Sequence, residues 1–418
     1  MNKRAFLVML LCSFYCLAIG QNTVLDYGRT ITKTLCDTPF YGRGYVKNGV
    51  GQAAEFLTNE FKRLKLKPVG KDYLQTYQMP VNIQDLNIQC SLDDEAFYIG
   101  RHFLVDAASP AVNNEFYLRH FNAKDSTDLA LLALKLDHGF QSNEALVLHH
   151  SSKRSLLRHD SLGILSHALP LIIFTEDKKL THTVSTSVDE IPSLVFFDSL
   201  IANKERLRII CSNKFEQQFK CNNVVGFLPG KRKDSFLVFT AHYDHLGKQG
   251  QAMFPGASDN ASGVSMVLNL ASYFAQHKPK YPTYFILFSG EEAGLVGSTY
   301  FTENPLFNLN KIKLLINLDI MGNAENGVTV VNGEQQRTYF EALKKINEQN
   351  QFLPEVRIRG KAANSDHYPF AEKGVPAIFI YSLGGQGYYH DIDDTYEHLG
   401  FKNYEAVYKL LLTFTQQL

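Results

Sequence analysis

Hydrophobic residues in the C-terminal half of the chain follow two alternating patterns. Mostly apolar runs occupy residues 235–240, 284–288, 312–318, 328–331 and 377–381, and such runs are typical of strands buried inside a sheet. Between them, apolar residues recur at helical spacing over 262–274, 334–349 and 403–416. This alternation predicts an α/β domain with a mostly parallel central sheet flanked by helices.

The N-terminal half combines one helix with a region of different character. Apolar positions across 51–66 follow helical spacing and predict an amphipathic helix. From residue 86 to 222, short apolar runs such as 145–148 are separated by Ser, Asn and charged residues. We therefore predict a mostly β module at 86–222, inserted between residues 21–85 and 223–418 of the α/β domain.

The first 20 residues have the features of a secretory signal. Lys3 and Arg4 precede an uncharged apolar stretch over 5–19, and small residues at 18 and 20 fit a cleavage rule that leaves Gln21 first. The alternative is a membrane anchor, but about 15 apolar residues fall short of the roughly 20 that a spanning helix needs. The sequence thus predicts a signal peptide at 1–20 and a secreted or periplasmic protein.

Charge and composition argue against two classes of partner. The 418 residues include 42 basic and 42 acidic side chains, so no strong field attracts nucleic acid or an anionic membrane surface. Hydrophobic residues make up 45% of the chain, enough for a large core, and we expect no stable membrane insertion. Neither feature determines the oligomeric state.

Four cysteines remain after signal cleavage, namely Cys36, Cys90, Cys211 and Cys221. An even number in an exported protein suggests disulfides, and three pairings are open. We favour Cys211 with Cys221, because both lie at strand-like ends around a short polar stretch. The alternative is buried thiols. The sequence has no Cys-x-x-Cys motif, which argues against a cysteine zinc knuckle.

Potential metal ligands follow the ends of the predicted strands. They are His242, Asp259, the pair Glu291 and Glu292, Asp319 and His390, each at the end of an apolar run or in a turn beside Gly. The carboxyl ends of parallel strands lie along one edge of a sheet, so these groups can converge there. Asp259 precedes a predicted helix and has two oxygens to share between two metals.

Two histidines and three carboxylates, with one more Glu beside them, suit a hydrolase with two zinc ions. Zinc accepts His nitrogen and carboxylate oxygen, and it lowers the pKa of a bound water towards about 7. Glu291 and Glu292 are adjacent, so one can bind metal while the other acts as general base. Cobalt or manganese could occupy the same ligands.

Two acidic residues are candidate supports for the ligands. Asp244 lies two residues after His242 and could accept a hydrogen bond from its second ring nitrogen. Asp394 could support His390 or its loop in a similar way. The competing interpretation is a structural α/β domain with polar loops. The order of all five motifs at strand ends, within one domain, argues against it.

Six segments together resemble the di-zinc aminopeptidases of peptidase family M28, a group that also contains glutamate carboxypeptidase, transferrin receptor and glutaminyl cyclase. They read AHYDHLG (241–247), GASDNASGV (256–264), FSGEEAGLVGS (288–298), NLDIMG (317–322), SDHYPF (365–370) and HDIDDT (390–395). The resemblance covers about 25–85 and 222–418. It implies a phosphorylase/hydrolase-like zinc-peptidase fold with two zinc ions per chain.

The resemblance also implies a role for each matching residue. His242 and Asp319 would bind one zinc, Glu292 and His390 the other, and Asp259 would bridge them. Glu291 would be the general base, with Asp244 supporting His242. Asp366 and His367 match a recurrent motif without being ligands. His367 either lines the substrate pocket, to which Tyr381 also belongs, or packs as a hydrogen-bonded core residue.

Three remaining histidines, His245, His277 and His398, are interpreted as structural or surface residues. The inserted region resembles a protease-associated domain, chiefly through residues 191–197 and its position before Asn223. Such a domain would either cap the cleft or pack beside it.

Four functions are compatible with this family. The first is a secreted metallo-aminopeptidase that removes N-terminal residues from peptides. A glutaminyl cyclase is disfavoured because residues 293–298 follow Glu292 directly with the sequence AGLVGS, as in peptidases. A carboxypeptidase would need basic residues in the pocket, and Arg357 and Arg359 are the nearest candidates. A non-catalytic binding homologue is disfavoured because all six site positions are filled. Side-chain specificity is left open.

Overall fold

Two large β-sheets and one small hairpin organise the part of the chain that the computed structural model describes, residues 23–84, 87–122, 139–149 and 169–418. The first eleven strands in chain order are β1 (Lys67–Pro68), β2 (Leu74–Gln84), β3 (Gln89–Leu92), β4 (Glu95–Phe97), β5 (Phe103–Val105), β6 (Val112–Asn122), β7 (Glu144–His149), β8 (Ile172–Glu176), β9 (Ser193–Phe197), β10 (Arg206–Cys211) and β11 (Asn213–Leu228). The remaining strands are β12 (Phe236–His242), β13 (Gly247–Gln249), β14 (Ala252–Phe254), β15 (Thr283–Phe288), β16 (Ile312–Asp319), β17 (Gly327–Val331), β18 (Val356–Ile358) and β19 (Ala377–Leu383). The predicted signal peptide, 1–20, lies outside the described residues.

Helices alternate with the strands of the C-terminal half, as the hydrophobic pattern predicts. They are α1 (Val24–Leu35), α2 (Gly49–Arg63), α3 (Asp198–Ile201), α4 (Gly263–Gln276), α5 (Val296–Glu303), α6 (Arg337–Asn350), α7 (His367–Glu372) and α8 (Tyr404–Gln417). Single turns of 3₁₀ helix occur at Thr38–Arg43, Val46–Asn48, Leu309–Lys311 and Tyr396–His398, and a π-helical turn at Ala257–Ser262. None of the helices in the described ranges combines the length and the apolar character that crossing a membrane requires.

The larger sheet carries the predicted strands at its centre. Its order is β1-β11-β15-β12-β16-β19-β17-β18, with β2 also paired to β11. The four central strands β15, β12, β16 and β19 are mutually parallel, whereas β1, β2 and β11 pair antiparallel at one side. This mixed, mostly parallel sheet confirms the predicted α/β fold class.

Side chains of the central strands alternate between two separate cores. In β12, Leu237 and Phe239 face a core that contains residues of α1, α2, α4, α6 and α8, whereas Phe236 and Val238 face a core with Phe301 of α5. Successive residues of a strand point to opposite faces, so a continuous apolar run is what a strand covered on both sides requires. The sheet is therefore the middle of three layers, and only its edges are open to polar chemistry.

The smaller sheet forms the inserted, β-rich domain that the sequence predicts. Its strands have the order β4-β3-β10-β6-β7-β8-β9-β5, and β6 to β9 are parallel neighbours. β11 runs from Asn213 to Leu228 without a break, so it passes through the predicted boundary at residue 222 and joins the inserted domain to the larger sheet. The domain limits stay predictions, and residues 85 and 86 lie outside the described ranges.

The favoured pairing of Cys211 with Cys221 was wrong. No disulfide joins these two residues in the structure. Cys221 is buried in the main core, beside Tyr77, whereas Cys211 is buried in the core of the inserted domain. The polar stretch between them is part of β11, and an extended strand moves its ends apart by about 3.3 Å per residue. Nearness in sequence therefore does not bring the sulfurs together.

Candidate metal centre

The predicted ligands lie at the carboxyl edge of the four parallel strands. His242 is the last residue of β12, and Asp319 is the last residue of β16. Glu291 and Glu292 follow β15 after a turn at Ser289 and Gly290. The remaining two candidates come from loops: His390 follows β19, and Asp259 lies in the π-helical turn before α4. The structure brings all six residues to one place.

Asp259 lies between the two histidines and directs one oxygen to each. Its Oδ1 is 3.3 Å from His242 Nε2, and its Oδ2 is 3.3 Å from His390 Nε2. Asp259 is 3% exposed, so both oxygens are screened from water. A carboxylate in this position can supply one oxygen to each of two cations. We call the two sides of this arrangement the His242 half and the His390 half.

The His242 half is completed by Asp319, whose Oδ2 is 3.4 Å from His242 Nε2. Asp319 is oriented by a chain of buried hydrogen bonds. Ser365 Oγ donates to Asp319 Oδ2 at 3.1 Å, and Asn317 Nδ2 donates to Ser365 Oγ at 2.8 Å. Thr240 Oγ1 in turn donates to Asn317 Oδ1 at 2.7 Å. These partners come from β12, from β16 and from the residues before α7, so the half is built on rigid elements.

The His390 half is completed by Glu292 and by a histidine that the sequence did not single out. Glu292 Oε2 is 3.0 Å from His390 Nε2, and its other oxygen, Oε1, is 2.6 Å from His245 Nδ1. His245 is fully buried, which agrees with the structural one of its two predicted interpretations. The signal in the sequence was its position within AHYDHLG, two residues beyond Tyr243, in the loop that His242 begins.

The inserted domain also contacts the His390 half. The carbonyl oxygen of His182 lies 3.1 Å from His390 Nδ1, and the His182 amide donates to the His390 carbonyl at 3.3 Å. Lys179 Nζ donates to the carbonyl oxygens of Gly387, at 2.8 Å, and Tyr389. The loop that carries His390 is therefore attached to the inserted domain. Sequence reasoning missed both residues, because nothing near them in the chain marks a site.

Asp244 contacts His242 through its backbone. Its carbonyl oxygen is 3.2 Å from His242 Nδ1, whereas its carboxylate Oδ1 is 3.9 Å away. The carboxylate instead accepts hydrogen bonds from the Glu291 amide and from the hydroxyl of Tyr45, both at 3.2 Å. Burial raises the pKa of Asp244 to about 6. Asp244 thus links His242 to Glu291.

Asp394 contacts the turn of Asp259. Its carboxylate accepts hydrogen bonds from the amides of Ser258 and Asp259, and its carbonyl accepts from Ala257. The same turn is joined to β16, because Asn260 Nδ2 donates to the Leu318 carbonyl at 3.0 Å. The hydrogen bonds of the Asp394 carboxylate to these amides therefore orient Asp259, a different task from the predicted support of His390 or its loop.

Asp366 and His367 lie beneath the ligands, fully buried, at the start of α7. Burial raises the pKa of Asp366 to about 7 and lowers the pKa of His367 to about 4. The His367 ring packs 5.3 Å from the ring of Phe379. Neither residue lines the cleft described next, so the structure favours the packed interpretation of His367.

A cleft of about 280 Å³ opens beside Asp259. Tyr381, which the sequence predicted for a substrate pocket, lines it together with the glycine-rich loop 384–387. The other lining residues are apolar or aromatic in part, among them Ile320, Tyr389 and Leu399, and polar in part, among them Asn323 and Asp394. The cleft is large enough for one amino-acid side chain and adjoins the His390 half.

The charges around the site are those of a cation site. The buried carboxylates Asp244, Asp259, Asp319, Asp366 and Asp394 surround it, together with the 4% exposed side chain of Glu292. Burial opposes the charged form of His390, but Glu292 and Asp259 nevertheless raise its pKa to about 11. Asp319 Oδ1 is buried without a hydrogen-bond partner. Buried charges are stable when they are paired or bind metal. Converging histidine nitrogens and carboxylate oxygens, one of them unpaired, fit a metal such as zinc.

Comparison with known sequences identifies the region that carries these ligands. Residues 223–415 match peptidase family M28. A probable leucine aminopeptidase of Arthroderma otae is 29% identical over 222 residues, which are 49% of this chain and 59% of that protein. A probable zinc metalloprotease of Pyrenophora teres f. teres is 40% identical over 114 residues, 25% of this chain and 24% of that protein. The chain thus spans less than two thirds of the length of these curated relatives.

Comparison with solved structures extends the similarity of fold to the inserted domain. BSAP, a zinc aminopeptidase from Bacillus subtilis, has a TM-score of 0.72 at 16% identity, and 94% of each chain is covered. An aminopeptidase from Aneurinibacillus sp. strain AM-1 has a TM-score of 0.64 at 17% identity, with 95% of this chain and 94% of that chain covered. Residues 223–415, which contain every predicted ligand, match peptidase family M28, as their motifs predicted.

Proposed function

We propose that this chain is a zinc-dependent aminopeptidase that removes N-terminal amino acids from peptides. The observation that carries the proposal is the position of Asp259, with one oxygen facing His242 and the other facing His390. Each histidine has a second carboxylate of its own, Asp319 or Glu292. Such a set would hold two zinc ions, with Asp259 as the bridge. Bound zinc would polarise the scissile carbonyl and acidify a water molecule.

Glu291 is the proposed general base. Its amide is fixed by Asp244, and one of its carboxylate oxygens lies within 4.8 Å of the ligand atoms of His242 and Asp319. Burial raises the pKa of Glu291 well above its usual range, with Glu292 adding to the shift and His242 opposing it. A carboxylate of raised pKa can take a proton from water near neutral pH and return it to the leaving amine. Glu292, beside it, is engaged by His245 and His390 instead.

The cleft beside Asp259 is the proposed site for the first side chain of the peptide. Its walls are apolar in part, and the acidic groups nearest to it, Asp259 and Asp394, favour a cationic N-terminal amine over a carboxylate. The names of two relatives, a probable leucine aminopeptidase and a zinc aminopeptidase, support the same reaction.

The decisive experiment combines zinc analysis of the purified mature protein with a panel of aminoacyl anilides and their N-acetylated controls. Two zinc ions per chain, with cleavage only when the amine is free, would support the proposal. Cyclisation of an N-terminal Gln peptide without anilide cleavage would replace it with a cyclase, and release of C-terminal residues with a carboxypeptidase. Absence of activity in all of these assays would favour a non-catalytic binding protein.

We also propose that the protein is exported, to the medium or the periplasm, after removal of residues 1–20. The basic start at Lys3 and Arg4 and the following apolar stretch support this. N-terminal sequencing of the protein recovered from medium or periplasm should begin at Gln21. A chain that stays in the cytoplasm with its first 20 residues intact would contradict the proposal.

A further inference from the structure

Arg43 is a fully buried arginine behind the candidate metal centre. It lies outside the family match, at the end of the 3₁₀ turn Thr38–Arg43, and is 0% exposed. Its backbone has a positive φ of 52°, a conformation that non-glycine residues adopt only under structural constraint. Arginine side chains are rarely fully buried, so this position needs an explanation.

Every N–H of the Arg43 guanidinium donates to a backbone carbonyl. Nε donates to Tyr243 at 2.8 Å, Nη1 to Leu35 at 3.2 Å and Pro255 at 2.5 Å, and Nη2 to Gly256 at 2.8 Å and Asp259 at 3.3 Å. A guanidinium has five N–H donors in a rigid planar fork, and all five are used here. The rigid fork therefore constrains where these five carbonyls can lie.

Four of these five carbonyls belong to segments that present candidate ligands. Tyr243 lies between His242 and Asp244, and the carbonyls of Pro255, Gly256 and Asp259 belong to the turn that positions the bridging carboxylate. Two segments that are adjacent to each other only in the folded chain are thus joined through one side chain. A third segment, the end of α1, contributes the carbonyl of Leu35.

Close backbone packing fixes where Arg43 can be. A Cβ added at Gly42 would lie 2.4 Å from the Phe254 carbonyl oxygen, and one at Gly44 would lie 2.3 Å from Gly247 Cα. The residues on both sides of Arg43 therefore fit against the segments that its side chain joins. Shifting the guanidinium would require shifting these backbones as well.

The charge of Arg43 does not explain its presence. All five acceptors are neutral carbonyls, and a buried cation close to a cation site weakens metal binding electrostatically. Burying a charge without a counter-ion also costs free energy. The benefit must therefore come from the geometry of the five donors.

We propose that Arg43 is a positioning residue that holds the Asp259 turn and the His242–Asp244 segment in the ligand-binding arrangement before any metal arrives. The proposal rests on the proposed function for its effect on zinc. The hydrogen bonds of Arg43 join protein atoms only, so the two proposals can fail separately.

The test compares wild-type protein with Arg43→Lys, which keeps the charge but has three donors in place of five. Arg63→Lys, at a half-exposed position on α2, is the matched control. The measurements are zinc affinity and the visible absorption spectrum of the cobalt-substituted protein, with thermal melting to establish that each variant is folded. We expect Arg43→Lys to bind zinc about 10- to 100-fold more weakly than wild type and to have an altered cobalt spectrum. The control should have the zinc affinity and the cobalt spectrum of the wild-type protein. Wild-type affinity and spectrum in Arg43→Lys would overturn the proposal, even if the variant melts at a lower temperature.

Hydrogen exchange of the wild-type protein tests the same proposal if Arg43→Lys does not fold. The amides of residues 256–262 should be protected in protein freed of metal, and zinc should change their exchange by less than about tenfold. A turn that exchanges freely until zinc binds would show that Arg43 does not order it. Wild-type protein that binds no zinc would contradict the proposed function but leave this exchange test in force.

Discussion

The two halves of the candidate metal centre contain the same kinds of ligand but are supported in different ways. In the His242 half, the ligands end two adjacent parallel strands, and their partners Thr240, Asn317 and Ser365 are all buried in the peptidase domain. In the His390 half, the histidine lies on a loop whose hydrogen bonds lead to His182 and Lys179 of the inserted domain.

The difference teaches what the inserted domain does in this fold. It is not an appended module, because two of its residues fix the loop that presents one ligand and forms one wall of the cleft. Strand ends are rigid by virtue of the sheet, whereas a glycine-rich loop needs outside contacts to hold one conformation. We therefore expect substitutions in the two halves to have different effects on zinc binding and activity.

The largest effect is expected from Glu291→Gln, which removes the proposed general base. Loss of the general base should reduce the turnover number by about 10²- to 10⁴-fold, while zinc content stays at the wild-type level. Hydrolysis of aminoacyl anilides and elemental analysis on the same sample measure both quantities. Glu303→Gln, at an exposed position on α5, is the control. A Glu291→Gln variant with activity within tenfold of wild type would remove Glu291 as the base.

The next effect separates the halves. His245→Gln removes the imidazole whose Nδ1 lies 2.6 Å from Glu292, so the His390 half should lose about 10- to 100-fold in zinc affinity. The His242 half, which lacks this contact, should keep its affinity. Zinc titration of the metal-free protein should then show one tight and one weak site. His277→Gln, at an exposed position, should titrate like wild type. Equal weakening of both sites would show that the halves are not independent.

The dependence of stability on pH tests the contact with the inserted domain. Burial, with His390 and His245 nearby, lowers the pKa of His182 from its usual 6.5 to about 3. Between these values the unfolded chain binds a proton that the folded chain excludes. The stabilisation is complete above pH 6.5 and is lost as the pH falls towards 3, by about 1.4 kcal/mol per pH unit. At pH 5 this amounts to about 2 kcal/mol, or about 30-fold in the ratio of folded to unfolded protein.

Denaturant unfolding of the metal-free protein at several pH values measures this slope. His182→Gln should have a shallower decline than wild type below pH 6.5, because the proton-linked group is gone. His277→Gln provides the control for loss of an exposed imidazole. Parallel curves for His182→Gln and wild type would mean that His182 is not buried as a neutral group.

The smallest effect is expected from Lys179→Ala. Two hydrogen bonds to the loop carbonyls are lost, each worth about 0.5–1.5 kcal/mol, so the Michaelis constant should rise by about 3- to 10-fold. Zinc content should not change, since His182 still contacts His390. Lys178→Ala, one residue earlier and exposed, is the matched control. An unchanged Michaelis constant would show that the loop holds its shape without the Lys179 hydrogen bonds.

Much of the fold could be predicted from the sequence, because strands and helices depend on residues that are close together in the chain. The runs 235–240 and 312–318 are mostly apolar because each strand is covered on both faces, and β12 and β16 confirm them. The ligands could be predicted to converge because parallel strands end at one edge. The pairing of Cys211 with Cys221 failed because chain proximity says nothing about which of two cores a side chain enters.

The sequence by itself determined the features that depend on consecutive residues. These are the alternation of strands and helices and the motifs around His242, Asp259 and Glu291, and hence the match to the peptidase family. Only the tertiary structure decided which groups support them. Arg43 donates to the carbonyl of Tyr243, 200 positions away, and His390 contacts His182, 208 positions away. Such contacts leave no periodic or local signal. A backbone carbonyl accepts a hydrogen bond whatever side chain its residue has, so residue types alone do not reveal them.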